Sequence, residues 1–486
     1  MPAALEQQLA DAERDARVLE GSPQQRTEWT QQVVSSGLHY LNDVAELPAF
    51  IDPNPAQPPV RALRIADEGH ALPDVLQFLR PAVIDPGLAP ASGGHLGYIP
   101  GGGLYLSALG DYLADVTNKY AGIHFAAPGA VAMENMLLEW MAGVFGFPTS
   151  FAGNLTSGGS LANLIAIVTA RDAHGVDSQN IRRKVIYGSA HMHHCLNKAI
   201  RIAGLNECVY REVPLDARHR MDTGRLKELV RADVNAGLEP FLLIGSAGTT
   251  DCGAIDPLRD MADVAADAGC WFHIDAAYGG FFMLLDEEKP KFAGIERADS
   301  LVIDPHKGLF LPYGTGAVLV RNGDLLRQSH YYQANYMQDA LTNTEEMSPA
   351  DLSPELTKPF RGLRLWLPLM VHGVAPFKAC LREKLLLTHY FRQRLREIPG
   401  MVAGHEPDLS VTWYCLHTGH ARQDDMNLHL AALIRQDGRV FVSTSRIDGM
   451  VQLRLAVLSF RTHRSTIDTL VDVLKEKVPL ALDAFR

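Results

Sequence analysis

From about residue 150 the chain alternates short apolar runs with longer amphipathic stretches. "KVIYGS", "CVYREVP", "FLLIGSAGTT", "CWFHID", "SLVID" and "GAVLV" read as strands, and the segments between them as helices. One such helix, "DPLRDMADVAADAG", carries its own punctuation. Asp256 is placed to cap its start, Pro257 suits the first turn and Gly269 can end it. This alternation predicts an α/β fold, a largely parallel sheet covered by helices, with room for an antiparallel strand.

The flanks differ. Residues 1–43 read as polar helices, and "ELPAFIDPNPAQPPV" then supplies Pro48, Pro53, Pro55, Pro58 and Pro59, a stiff extended connection. The glycines of "GGHLGYIPGGGLY" mark close-packed or ligand-facing backbone. After about residue 365, "LWLPLMVHGVAPFKACLREKLLLTHYFRQRL" reads as one long helical region. A small α+β unit follows, in which "VFVST" and "VQLRLAVL" flank an Asp448-Gly449 hairpin turn. Residues 331–358 are weakly periodic, and loops of that length are usually functional or unstructured. The expected division is a helical segment over 1–90, a large domain over 91–365 and a small α+β domain over 366–486.

Composition narrows the class. With 47% hydrophobic and 21% charged residues, the chain is ordinary for a globular protein. A net charge of −11 without a basic block argues against nucleic acid or an anionic membrane as a partner. Cys195, Cys208, Cys252, Cys270, Cys380 and Cys415 are scattered without a CxxC pair, which suits a reducing compartment. "MPAALEQQLADAERDAR" has no apolar signal core, and no stretch reaches membrane-spanning length. The expected location is the cytoplasm.

Candidate chemistry gathers where strands end. In "SLVIDPHKGLF" an apolar run stops at Asp304-Pro305, because proline has no N–H to extend the ladder, and presents His306 and Lys307 at the sheet rim. "CWFHIDAAYGG" ends in the same way at Asp275. "TSGGSLANLIAIVTAR" opens a helix from a Ser/Thr/Gly turn, an arrangement that binds phosphate. It lacks the lysine of a nucleotide P-loop. "GSAHMHHCLNKAI" brings His191, His193 and His194. They do not share one helical face and no acidic residue completes a ligand set, so no metal is expected. A phosphate cradle, a flat imidazole, an Asp for a ring nitrogen and a Lys amine together suit pyridoxal 5′-phosphate (PLP).

The set "TSGGSLANL", "HHCLNKA", "HIDAAYGG" and "RADSLVIDPHKG" resembles the group II PLP-dependent amino acid decarboxylases, which include aromatic-L-amino-acid, glutamate and diaminobutyrate decarboxylases. The resemblance runs from about residue 90 to the C-terminus. It implies the PLP-dependent transferase fold type I, with Lys307 as the Schiff-base lysine and Asp275 at the pyridine nitrogen. His193 would stack on the ring and Ala277 pack on one of its faces. Gly159 and Ser160 would hold the phosphate, with Thr250 and His306 beside the cofactor. In "LRLAVLSFRTHR", Arg454 matches an arginine that can meet the substrate carboxylate, although a structural salt bridge is an equal reading of it. The resemblance also implies a homodimer with active sites at the interface, clasped by residues 1–90.

Three positions depart from the family. Gly308 replaces the bulky residue that commonly follows the lysine, and Asp304 stands where several animal relatives have Asn. The loop Tyr that usually returns a proton to Cα falls near Pro349, where there is none, so Tyr336 is the nearest candidate. The expected reaction is decarboxylation of an L-amino acid to its amine, with Tyr98 of "GYIPGGGLY" favouring an aromatic side chain over an acidic or diamino one. The alternative is oxidative conversion to an aldehyde. A non-catalytic PLP-fold binding protein would have lost Lys307 or Asp275, and both are present.

Overall fold

A computed structural model of the protein describes residues 2–52, 60–332 and 346–486. Two helices, Pro2–Ala16 and Pro23–Asp43, lead the chain. Ser22 and Gln25 cap the second reciprocally, side chain to backbone in both directions, with Pro23 at its first position. Strands β1 (Phe50–Ile51) and β2 (Gly87–Leu88) then form a short antiparallel pair.

The main sheet holds β3 (Ala152–Thr156), β4 (Lys184–Ser189), β5 (Val209–Val213), β6 (Glu239–Ser246), β7 (Trp271–Asp275), β8 (Ser300–Ile303) and β9 (Gly316–Val320). Their spatial order is β3-β9-β8-β7-β6-β4-β5. Strands β5, β4, β6, β7 and β8 pair in parallel, and β9 runs antiparallel to both its neighbours. Both faces of the inner strands are covered, so β6, β7, β8 and β9 write nearly continuous apolar runs, whereas the edge strand β5 is half exposed. Tyr187, Leu243, Phe272, Ile274 and Leu301 enter the core on one face, and Ile186, Leu242, Ile244, Val302 and Val318 enter the core on the other.

A second sheet, order β10-β11-β13-β12, comprises β10 (Met401–Ala403), β11 (Val411–Leu416), β12 (Ser443–Ile447) and β13 (Met450–Ala456). It packs on helices Gln423–Asp437 and Arg464–Asp483 around Tyr414, Leu430, Leu453 and Leu474. Strands β12 and β13 form the expected hairpin at Asp448-Gly449, with Ile447 opposite Met450.

Local expectations fail at three places. The long helical region is two helices, Gly362–His372 and Ala375–Leu395, broken at Gly373, whose φ of 67° suits glycine. In "VFVST" the strand begins only at Ser443. The preceding Phe441 pairs instead with Gly94 and Leu96, donating to Gly94 O at 2.9 Å and accepting from Leu96 N at 2.8 Å. Asp256 does not cap helix Leu258–Ala268. Its buried carboxylate accepts from Met221 N and Ser246 N, and burial pushes it up to about 6.

Candidate active site

Strands β4, β6, β7 and β8 point the same way and end along one edge of the main sheet, where open α/β sheets bind ligands. A cavity of about 390 Å³ lies there, within the range of small-molecule sites. Gly159, Ser160, His193, Thr250, Asp275, Ala277, His306 and Lys307 all line it. Residues spread over 149 positions of chain are thus drawn to one space by the strand ends.

Each wall has a local cause. Helix Gly159–Ala173 starts without a side-chain cap, leaving the backbone N–H groups of Gly159 and Ser160 without a partner among the described residues and so available to an anion. Its entry residue Gly158 has φ 154°, and a Cβ on Gly159 would stand 3.0 Å from Asp304 Oδ2. His193 caps helix His194–Ile202, its Nδ1 accepting from Cys195 N at 3.3 Å, so the ring carries its proton on Nε2. Burial lowers His193 below the usual imidazole range, and Asp275 opposes that only in part. Lys307 rides the single helical turn Pro305–Gly308, with 24% of its side chain facing the cavity and Nζ 2.9 Å from Asp304 Oδ2. His306 is fixed beside it by Nδ1–H donating to Thr315 O at 2.6 Å.

Asp275 closes a buried hydrogen-bond chain. Its Oδ1 accepts from Ala277 N at 3.0 Å and its Oδ2 from Asn163 Nδ2 at 3.2 Å. Asn163 Oδ1 then faces His273 Nε2 at 2.8 Å, and His273 Nδ1 faces Ser300 Oγ at 2.8 Å. Ser300 Oγ also accepts from Trp271 Nε1 at 2.8 Å. Asn163 lines the cavity with Asp275, and burial drives His273 down to about 4, which keeps it neutral.

Tyr98 and Arg454 are not among the lining residues. Tyr98 is 55% exposed, with φ 51° and its ring 5.7 Å from that of Phe441. Arg454 is 3% exposed on β13, with Tyr278, Asp251 and Tyr98 in its surroundings. Its Nη1 donates to Ser443 Oγ at 3.2 Å, while Nε and Nη2 are buried without partners among the described residues. Among the described residues no carboxylate pairs with it, so the salt-bridge reading has no acid there. Tyr336 lies outside the described residues. Pro349 is buried, its carbonyl accepting from Asn154 Nδ2 at 2.7 Å, and does not line the cavity. Sequence reasoning passed over His191, Cys195, Ser246 and Asn163 as wall residues. Asn163 had a signal: it lies one turn beyond Gly159, a polar residue within the apolar run Leu161 to Val168.

An uncapped glycine-started helix, a buried carboxylate, a cavity-facing amine and a flat neutral imidazole surround a space of cofactor size. These residues fit the phosphate, ring nitrogen and aldehyde of pyridoxal 5′-phosphate.

Comparison with known proteins follows the same line. Residues 81–405 match the model of the pyridoxal-dependent decarboxylase conserved domain. The chain is 31% identical over 403 residues to the aromatic-L-amino-acid decarboxylase of Bacillus atrophaeus, covering 82% of this chain and 84% of that one. It is 25% identical over 431 residues to the phenylacetaldehyde synthase of Arabidopsis thaliana, covering 86% and 88% respectively. The fold superposes on the crystal structure of Oryza sativa TDC with PLP and tryptamine at a TM-score of 0.88 and 24% identity, covering 94% of this chain and 98% of that one.

Proposed function

The chain belongs to the pyridoxal-dependent decarboxylase family and is a PLP-dependent carboxy-lyase; from that premise we propose that its substrate is an aromatic L-amino acid, converted to the amine. The observation that carries the site assignment is the meeting of Lys307, Asp275, His193 and an uncapped helix start around one cavity.

When bound, the cofactor supplies a conjugated ring that accepts the electron pair left as the carboxylate departs. The N–H groups at Gly159 and Ser160 hold the phosphate. Asp275, oriented by Asn163 Nδ2 and Ala277 N, gives the ring nitrogen an anionic partner. Ala277 and His193 would enclose the ring, with Thr250 and His306 beside it. Lys307 Nζ would hold the aldehyde carbon of the cofactor. Arg454, buried with two unpartnered nitrogens, is the candidate partner of the substrate carboxylate and Tyr98 that of its side chain, both from segments just outside the cavity wall. His193, whose proton sits on Nε2, or Tyr336 returns a proton to Cα.

The relative named phenylacetaldehyde synthase and the lack of a Tyr at Pro349 favour the aldehyde outcome as the second reading. The test is mass spectrometry of products from PLP-loaded protein given each common L-amino acid, 3,4-dihydroxyphenylalanine and diaminobutyrate. An amine from an aromatic substrate is expected. An aldehyde with peroxide would replace the reading with the second one, and an amine from an acidic or diamino acid alone would refute the aromatic preference.

We further propose a cytoplasmic homodimer with the sites at its interface. Helices Pro2–Ala16 and Pro23–Asp43 leave Leu5, Leu9, Trp29 and Val33 exposed, and Leu19 just after the first is 90% exposed. That is an apolar surface that a second copy would cover. None of the six cysteines is paired, and among the described residues no helix is long and apolar enough to cross a membrane. Sedimentation velocity should give twice the chain mass of 53.3 kDa. A monomer at micromolar concentration would contradict the dimer.

A further inference from the structure

One charged residue of the cavity wall, Asp304, has no part in holding cofactor or substrate. Asp304 stands at the head of the helical turn that carries Lys307, its side chain 2% exposed. Its Oδ2 is 2.9 Å from Lys307 Nζ, while its Oδ1 is buried with no partner among the described residues. The space it fills exists because two neighbours are glycines. A Cβ on Gly159 would stand 3.0 Å from Oδ2, and one on Gly316 would stand 2.6 Å from Oδ1. His306 offers a poorer contact, with Nε2 3.8 Å from Oδ2 and Nδ1 engaged by Thr315 O.

A buried carboxylate with one close ionic neighbour depends on that neighbour. The dependence is mutual. Burial pulls the Lys307 amine down, but Asp304 and then Asp275 outweigh it and leave the amine above the ordinary lysine value. The groups facing Lys307 come from three places: Asp304 and His306 on its own turn, Asp275 at the end of β7, and His193 with the Cys195 thiol at the start of helix His194–Ile202. Asp275 is already held by Asn163 and Ala277, and burial keeps His193 neutral. Asp304 is the group whose close contact is Lys307 itself.

We propose that Asp304 is a positioning residue: the counter-ion that holds Lys307 as an ammonium in the resting site and so sets the pH above which its amine can react. This rests on the cofactor assignment of the same cavity. The neutral amine attacks an aldehyde, so capture follows the unprotonated fraction of Lys307. An opposite charge at this range shifts such a group by about 1–3 pH units. Removing it lowers the lysine's pKa and moves the acid limb of capture to lower pH.

The test compares the full-length parent and Asp304→Asn chains, stripped of cofactor and mixed with pyridoxal 5′-phosphate over a pH series. Borohydride then fixes the adduct, and the Lys307 peptide is quantified by mass. The limb for Asp304→Asn should lie at least about one pH unit lower, with roughly tenfold more capture below the parental limb. Asp304→Glu should restore the parental profile. Pyridoxal, which lacks the phosphate, should show the same shift. Asp304→Ser supplies the same comparison if the Asn chain does not fold. A uniform loss of capture with an unmoved limb would make Asp304 merely structural and overturn the inference. So would a shift seen only with the phosphorylated aldehyde, since Asp304 would then act on the phosphate. A parent chain that is never captured at Lys307 would overturn the cofactor assignment itself, and the inference with it.

Discussion

Asp275 can only accept hydrogen bonds as a carboxylate, and that fact orients every residue behind it. Asn163 must turn its amide N–H₂ to Asp275, so its oxygen faces His273. Neutral His273 must then carry its proton on Nε2 and accept at Nδ1 from the Ser300 hydroxyl. Trp271 Nε1, which donates only, ends the chain at Ser300 Oγ. Ser300→Ala strands two buried groups at about 1–3 kcal/mol each and lets His273 move its proton to Nδ1. The account predicts that pyridoxal 5′-phosphate binds Ser300→Ala roughly tenfold or more weakly, measured by equilibrium dialysis, with Ser300→Thr near the parent. Unchanged retention with only a lower melting temperature would reduce the chain to a packing feature. In the sequence, Asp275 and Lys307 were legible because each follows an apolar run. His273 and Ser300 were not, because their meaning lies in being register partners on adjacent strands, β7 and β8.

Elements were readable in proportion to how local their causes are. Strands buried on both faces declare themselves as apolar runs, and the β12–β13 turn as Asp-Gly with both residues at positive φ, Asp448 at 51° and Gly449 at 77°. Breaks and exchanges of partner are less visible. Gly373 ends a helix within a pattern that continues past it, and Phe441 leaves the hairpin to pair with a segment some 345 residues earlier. Gly308 is a departure from the family with a packing cause. A Cβ there would stand 2.7 Å from the Cβ of Phe281, so the turn Gly280–Leu284 has already taken the room of any side chain. Lys358, in "LTKPFRG", reads as a surface lysine. It is instead wholly buried, 2.8 Å from Glu134 Oε2 and 2.7 Å from Asn154 Oδ1. Both partners lie more than 200 residues away, so no pattern near Lys358 could announce them.

At the scale of the molecule, the sheet does the assembling. Its parallel strands deliver Asp275, Lys307 and the His193 turn to one edge, and the helix after β3 brings the uncapped start that faces them. The fold class followed from the alternation of strands and helices, and the family from four motifs that meet only once the sheet is built. The substrate's side chain was not legible, because Tyr98 and Arg454 belong to segments outside the cavity wall and Tyr336 to residues that are not described. The central claim is that this one cavity, through Lys307, removes the carboxylate of an amino acid. The measurement that tests it most directly is carbon dioxide release from a panel of aromatic L-amino acids by the PLP-loaded parent and by Lys307→Ala. The account predicts release with one amine per carbon dioxide from the parent, and a loss of roughly 10³-fold or more in Lys307→Ala. Release sustained at the parental rate by Lys307→Ala would contradict it.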